Sequence, residues 1–440
     1  MERRSVAGVT ADPPAIEPST TRLGLLQRGR GDGFLAALQA GPAAHDDLLQ
    51  CLLHDPRLDP QLEARGRYYG ELVVDLALPL PPLLAGLRDA SEPQLGHEAL
   101  AAAWRMGHRP ALAVLADQDT GDAVVAGITA CLWGYGWATR VQLPARAAAV
   151  WLQLELERAD STHAEVRPRA PSALAALPLG ELLELARGPR STRRDRLLGE
   201  LCARGDEATR SHLAAVVTDD LVYERVRLAA RALGMLGDER LLPLAEAHFA
   251  REDVFADPRR RLPGDARMRR ACLADYVQHL PPPTALALAR SYHGRGGYFT
   301  HVAGCPFQEH ATSADRAALE AFVAARQSDD GGFDVISELD ALGRLGDPRS
   351  APLLAEVARE ASYSQARRRA VHALAAMPQL PLAQAVLREA LWDCEDETAA
   401  DACAFLPEPD AAARQRIAAL AASPLADAEL VARAERRLQR

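Results

Sequence analysis

Two stretches decide how this chain is read: A-L-G-M-L-G-D at Ala232–Asp238 and A-L-G-R-L-G-D at Ala341–Asp347. They differ at one position and lie 109 residues apart. The same offset aligns Val226 with Val335, Pro243 with Pro352 and Leu244 with Leu353. A shorter offset of 32 carries Leu201, Gly205, Asp206 and Glu207 onto Leu233, Gly237, Asp238 and Glu239, and Ala341, Leu342 and Leu345 onto Ala373, Leu374 and Met377. Weaker turns near Leu280-Pro281, Ala311 and Pro407 complete a spacing of roughly 30 to 43 residues, the period of helical-hairpin repeats.

One unit of this pattern has a legible physics. Val226, Ala229, Ala230 and Leu233 stand at i, i+3, i+4 and i+7, which is the buried stripe of a helix. Gly237 supplies the left-handed conformation that ends it. Asp238 can accept backbone hydrogen bonds in the turn. Pro243 and Pro352 fit the first turn of a second helix, where the missing N–H costs little. One such hairpin cannot bury its apolar face alone, so neighbouring hairpins must stack.

The segments R-L-A-A-R-A-L-G-M-L-G-D-E-R-L-L-P-L (227–244) and L-D-A-L-G-R-L-G-D-P-R-S-A-P-L-L (339–354) resemble HEAT repeats, closest to the short bacterial kind called PBS-lyase HEAT-like. Through H-D-P-R-L-D-P-Q-L-E-A-R-G-R-Y-Y at 54–69 and L-W-D-C-E-D-E-T at 391–398, the whole chain is similar to actinobacterial HEAT-repeat proteins. The resemblance implies a fold, an all-α solenoid of about ten helical hairpins, and no chemistry of its own. Residues 1–33 are expected to be a disordered tail, 34–172 degenerate helical repeats, and 173–440 HEAT-like repeats with an inserted loop at 251–266.

Composition narrows the function. The chain of 440 residues has 51 basic side chains, all arginine, and neither lysine nor asparagine. That excludes Schiff-base and phosphate-loop lysine chemistry and suggests a high-GC bacterial genome. Acidic residues number 60, for a net charge of −9, which argues against nucleic acid as the main partner. Seven dispersed cysteines without a C-x-x-C pair read as reduced core thiols of a cytoplasmic protein. The segment Met1–Thr21 lacks the apolar core of a signal peptide. The longest uncharged run, Ala123–Thr139, is short for a membrane span and reads as a buried helix.

Candidate chemistry is sparse. His293, His301, Cys305 and His310 follow H-x7-H-x3-C-x4-H, with His301 and Cys305 one helical turn apart. No C-x-x-C or H-E-x-x-H accompanies them, so no metal or other cofactor is expected. Deoxyhypusine hydroxylases, built on HEAT-like repeats, use several His-Glu pairs; the single His97-Glu98 here reads as a solvent-facing helical pair. Asp117, Asp119 and Asp122 lack a calcium loop's closing glutamate, Ile128 standing in its place. The glycine-rich H-G-R-G-G at 293–297 follows a helical pattern, not a strand, and no G-x-S-x-G occurs, so no catalytic residue is assigned.

Arginine carries the remaining signal. Clusters occur at Arg190, Arg193, Arg194 and Arg196, at Arg225 and Arg227, at Arg259–Arg261, at Arg267, Arg269 and Arg270, and at Arg367–Arg369. They form either a basic stripe that grips a partner or a ladder paired to acidic groups of adjacent repeats. Trp392 precedes Asp393, Glu395, Asp396 and Glu397, a solvated turn or a rim contact. Trp133, Tyr135 and Trp137 read as buried packing before an aromatic shelf. The leading expectation is a non-enzymatic adaptor that binds a protein or peptide, acidic ones included, on the concave face of the solenoid through Arg194, Arg227, Arg269, Arg367, Trp392 and Asp393. Two alternatives stand beside it: a nucleic-acid binder resembling DNA glycosylases of HEAT-like fold, and an auxiliary protein-modifying factor resembling bilin lyases.

Overall fold

The computed structural model describes residues 16–137, 142–160, 174, 177–187, 191–251, 264–326, 332 and 334–439. Among these residues every regular element is a helix. In chain order the α-helices are α1 (Arg22–Arg28), α2 (Gly31–Ala40), α3 (His45–Leu53), α4 (Gly66–Asp75), α5 (Leu80–Asp89), α6 (Gln94–Arg105), α7 (Arg109–Ala116), α8 (Asp122–Gly134) and α9 (Ala145–Asp160). They continue as α10 (Leu179–Glu184), α11 (Ser191–Arg204), α12 (Glu207–Asp219), α13 (Tyr223–Met235), α14 (Leu242–Phe249), α15 (Gly264–Gln278), α16 (Pro282–Tyr292) and α17 (Gly297–His310). The last are α18 (Arg316–Arg326), α19 (Ile336–Leu345), α20 (Ala351–Glu360), α21 (Ser364–Ala375), α22 (Pro381–Ala390), α23 (Asp396–Phe405), α24 (Ala411–Ala421) and α25 (Ala428–Leu438). No described helix is long and apolar enough to cross a membrane, and the seven cysteines are free thiols.

The chain divides into two compact units, one drawn from Met1–Thr162 with Ala318–Arg440, the other from His163–Ala317. The second unit contains the first copy of the motif. Helix α13 buries Val226, Ala229, Ala230 and Leu233. A Cβ on Gly234 would stand 2.5 Å from the Tyr276 carbonyl oxygen, so this glycine lets α13 and α15 approach closely. Gly237 sits at φ +64°, and the Asp238 N–H bonds back to the Leu233 carbonyl at 3.0 Å. The Asp238 carboxylate then accepts the Arg240 N–H at 3.1 Å and its Nε–H at 2.8 Å. Within A-L-G-x-L-G-D the alanine and first leucine are buried, the first glycine permits close approach, the second stops the helix, and the aspartate hooks the turn. Alternate helices pack side by side, α11 on α13, α13 on α15, α15 on α17, while α12, α14 and α16 each pair with the helix that follows.

The first unit repeats the device. A Cβ on Gly343 would lie 2.8 Å from Ala373 in α21. Gly346 sits at φ +60°, and Asp347 accepts the Arg349 N–H at 3.0 Å. Helices α19, α21, α23 and α25 pack in succession, as do α2, α4, α6 and α8.

The two ends of the chain also meet within this unit. Helix α2 packs on α22, and the Cys394 N–H donates to the Gly29 carbonyl at 2.9 Å. This corrects the expected boundaries. Residues 16–33 are not a tail: α1 is capped by Thr21, and Leu26, Gln27 and Arg28 are buried. Residues 1–15 lie outside the described residues. The expected division into 34–172 and 173–440 does not match the two units, because Ala318–Arg440 groups with Met1–Thr162. Of the expected inserted loop, 252–263 lies outside the described residues, and Gly264 already begins α15.

Candidate binding cleft

The segment 54–69 contains a third copy of the aspartate–arginine hook, D-P-R at 55–57. Arg57 donates its N–H and its Nε–H to Asp55 Oδ1 at 3.0 and 2.9 Å. Here the hook is buried, and Arg57 Nη1 reaches Glu98 at 2.9 Å. Six residues on, Glu63 accepts N–H groups from Leu58 at 2.7 Å, Asp59 at 3.2 Å and Ser364 at 2.8 Å, and pairs with Arg65 at 2.8 Å. Burial alone would raise the Glu63 carboxyl, but Arg65 and the Ser364 N–H hold it down at about 2. Arg67 pairs with Asp396 at 2.6 Å and donates to the Asp393 carbonyl at 3.0 Å.

The segment 391–398 lies against this one. Asp393 accepts the Glu395 N–H at 3.0 Å, and Ser364 Oγ donates to Glu395 Oε1. Burial pushes the Glu395 carboxyl up to about 7. Thus the two stretches that carry the whole-chain resemblance form one buried polar seam.

Above the seam opens a cleft of about 610 Å³, with an apolar floor at Leu62, Ala64 and Gly66 and at Pro424 to Ala426. One wall is aromatic. Gly136 at φ +65° turns the chain after α8, and the Tyr135 and Trp137 rings stack with centroids 4.4 Å apart and planes 17° from parallel. Gly66 lies close to both Glu98 and the indole: a Cβ there would stand a tight 3.2 Å from Glu98 Cβ and in ordinary contact, 3.6 Å, with the Trp137 ring. Tyr135 is 44% exposed. The charged residues of the lining are Arg67, Arg368, Glu395, Asp396, Glu397 and Asp427. Arg67 is tied to Asp396, and Arg368 to Glu397.

The partner-binding residues expected from the sequence fall elsewhere. Arg367, Trp392 and Asp393 are buried, and Arg367 faces Asp393 at 3.7 Å and Cys394 Sγ at 3.6 Å. They are therefore not exposed anchors: Arg367 and Asp393 belong to the seam, and Trp392 is buried beside it in sequence. Arg194 and Arg227 do come together in the second unit, around a recess of about 30 Å³ with Tyr223 and Arg231. Arg227 and Arg231 share Asp275, and Arg269 donates to the carbonyls of Val217 and Asp220. Arg227 and Arg367 therefore face carboxylates, as in the paired ladder, while Arg269 is held by backbone carbonyls. Arg190 and Arg259–Arg261 lie outside the described residues, as does the Arg193 side chain.

Three other readings change. His97 and Glu98 do not face solvent; both are buried, His97 against Gly127 and Glu98 against Arg57. Asp393 and Glu395 are buried in the seam, so the acidic run is not a solvated turn. The aromatic group expected as core packing supplies the cleft's exposed wall. One sequence signal points to the site: G-Y-G-W at 134–137 brackets an aromatic with glycines, whereas D-P-R recurs at 55–57, 257–259 and 347–349. His301 and Cys305 lie on α17, which runs through Pro306 unbroken. Among the described residues no three His, Cys, Asp or Glu side chains are grouped to hold a metal ion.

No family model matches the chain, and no curated protein shows significant similarity to it. Fold and site define a class: a protein helical in every regular element of its described residues, with a cleft of about 610 Å³ lined by segments far apart in sequence.

Proposed function

We propose that this is a HEAT-like helical-repeat binding protein, without catalytic chemistry of its own, that holds a segment of a partner protein in the cleft. The side-by-side packing of alternate helices, joined by the glycine-stopped, aspartate-hooked turn, supports a stack of helical hairpins. The observation that carries the function is the stacked, partly exposed Tyr135–Trp137 pair on the wall of a 610 Å³ cleft. Ligand sites run from about 300 to 1,000 Å³, and exposed Tyr and Trp dominate binding energy where they anchor an interface. An acidic partner loses support, because Arg227, Arg269 and Arg367 are occupied within the fold.

The test is to pan a displayed random-peptide library against the full-length protein, in parallel with Tyr135→Ala and Trp137→Ala. Clones that bind the wild type and neither variant are expected. Equal recovery on all three proteins, or no enrichment at all, overturns the proposal.

A further inference from the structure

We infer that the cleft selects a cationic side chain, arginine or lysine, on the partner segment it holds; this rests on the reading of the cleft as a peptide site.

The charge count comes first. Four carboxylates, Glu395, Asp396, Glu397 and Asp427, line the cleft against two guanidinium groups, Arg67 and Arg368. Both guanidiniums are engaged: Arg67 with Asp396 and with the Asp393 carbonyl, Arg368 with Glu397 and with Gln365 Oε1 at 3.0 Å. Neither is left to bind an anion. Glu395 is buried, bonded to Ser364 and held largely protonated up to about pH 7, so the full charge in excess is that of Asp427. Asp427 is exposed and uses Oδ1 to cap α25, accepting the Leu430 N–H at 2.7 Å. The lining is therefore complementary to positive charge, and low-dielectric walls strengthen that preference.

The aromatic wall points the same way. A cation is attracted to the face of Tyr or Trp, and this chain uses that contact repeatedly. Arg416 lies 5.3 Å from the Phe34 centroid, Arg270 5.2 Å from Tyr298, and Arg295 3.7 Å from Phe299. Among the described residues no arginine of the chain stands over Tyr135 or Trp137. The stacked pair lines the same cleft as the surplus carboxylate of Asp427, a combination that suits a guanidinium or ammonium on an apolar stem. The apolar floor would cover that stem.

The peptide panning gives the decisive readout. Among clones whose capture needs Trp137, arginine plus lysine should be enriched severalfold over the naive library. Asp427→Asn, which keeps a capping oxygen, should weaken those clones about tenfold, the loss of one charge-assisted contact. Raised salt should weaken them further. Trp137-dependent clones without basic enrichment would overturn this inference and leave the peptide-binding reading standing. Absence of Trp137-dependent clones would overturn both. Unchanged affinity in Asp427→Asn would reject the charge argument even where basic clones are enriched.

Discussion

At the scale of single residues, the seam sets two carboxylates to opposite purposes. Glu63 is held at about 2 by Arg65 and backbone donors, against its burial. Its contribution to stability is therefore complete above the ordinary carboxylate pKa and is lost as pH falls from about 4.5 towards about 2. Removing the cation leaves a buried charge alone: Arg65→Met should cost about 3–5 kcal/mol by urea unfolding at neutral pH. Glu395 behaves inversely. With its carboxyl pushed to about 7, the folded state holds the proton more tightly than the unfolded chain. Stability should fall as pH rises from about 4.5 to about 7. Glu63, Arg65, Asp393 and Cys394 face Glu395, and Glu338 in α19 also rises to about 7 through burial. The difference between wild type and Glu395→Gln isolates the effect: the variant should show a flatter stability profile over that window. The turn roles of Gly237 and Asp238 are legible in the sequence because they are local. The seam is not, since the Glu63–Ser364 hydrogen bond joins residues 301 apart and no periodicity encodes such a contact.

At the scale of helices, the two glycines of the motif act differently, and substitution separates them. Gly343→Ala drives a methyl to 2.8 Å from Ala373, so α19 and α21 must part. A loss of about 1–3 kcal/mol is expected from such overpacking. Gly199, inside α11, has open space around its missing Cβ. Gly199→Ala should stabilise by about 1 kcal/mol through helix propensity. Thermal unfolding of the two variants checks the signs, and a Gly343→Ala protein as stable as wild type would reject the close-approach role. The period, the helical stripe and the stop are all readable at this scale because each hairpin repeats them. Gly234 and Gly343 look in sequence like small stripe residues, since only the neighbouring helix reveals how little space each has. The Tyr135–Trp137 pair misleads for a related reason. Its apolar run suggests core, whereas Gly136 turns the chain so that the rings stack beside the cleft.

At the scale of the whole molecule, a one-dimensional stack transmits stability only between neighbours in sequence. The first unit departs from that rule. Arg30 of the N-terminal segment pairs with Glu389 at 2.8 Å and donates to the Arg359 carbonyl at 3.1 Å, and Arg416 of α24 pairs with Glu71 of α4 at 2.8 Å. From sequence the repeats run outward to residue 440, because the motif specifies neighbours and is silent about ends. The consequence is measurable. Arg30→Ala leaves the mostly buried Glu389 without its cation, so local opening should become easier on both sides of the join. Native-state hydrogen exchange should show lower protection in α2 and, more than 340 residues later, in α22 and the start of α23. An open stack confines the change to α1–α3. Loss of protection in α22 matching that in α2 would establish that these two helices, far apart in sequence, open as one cooperative element.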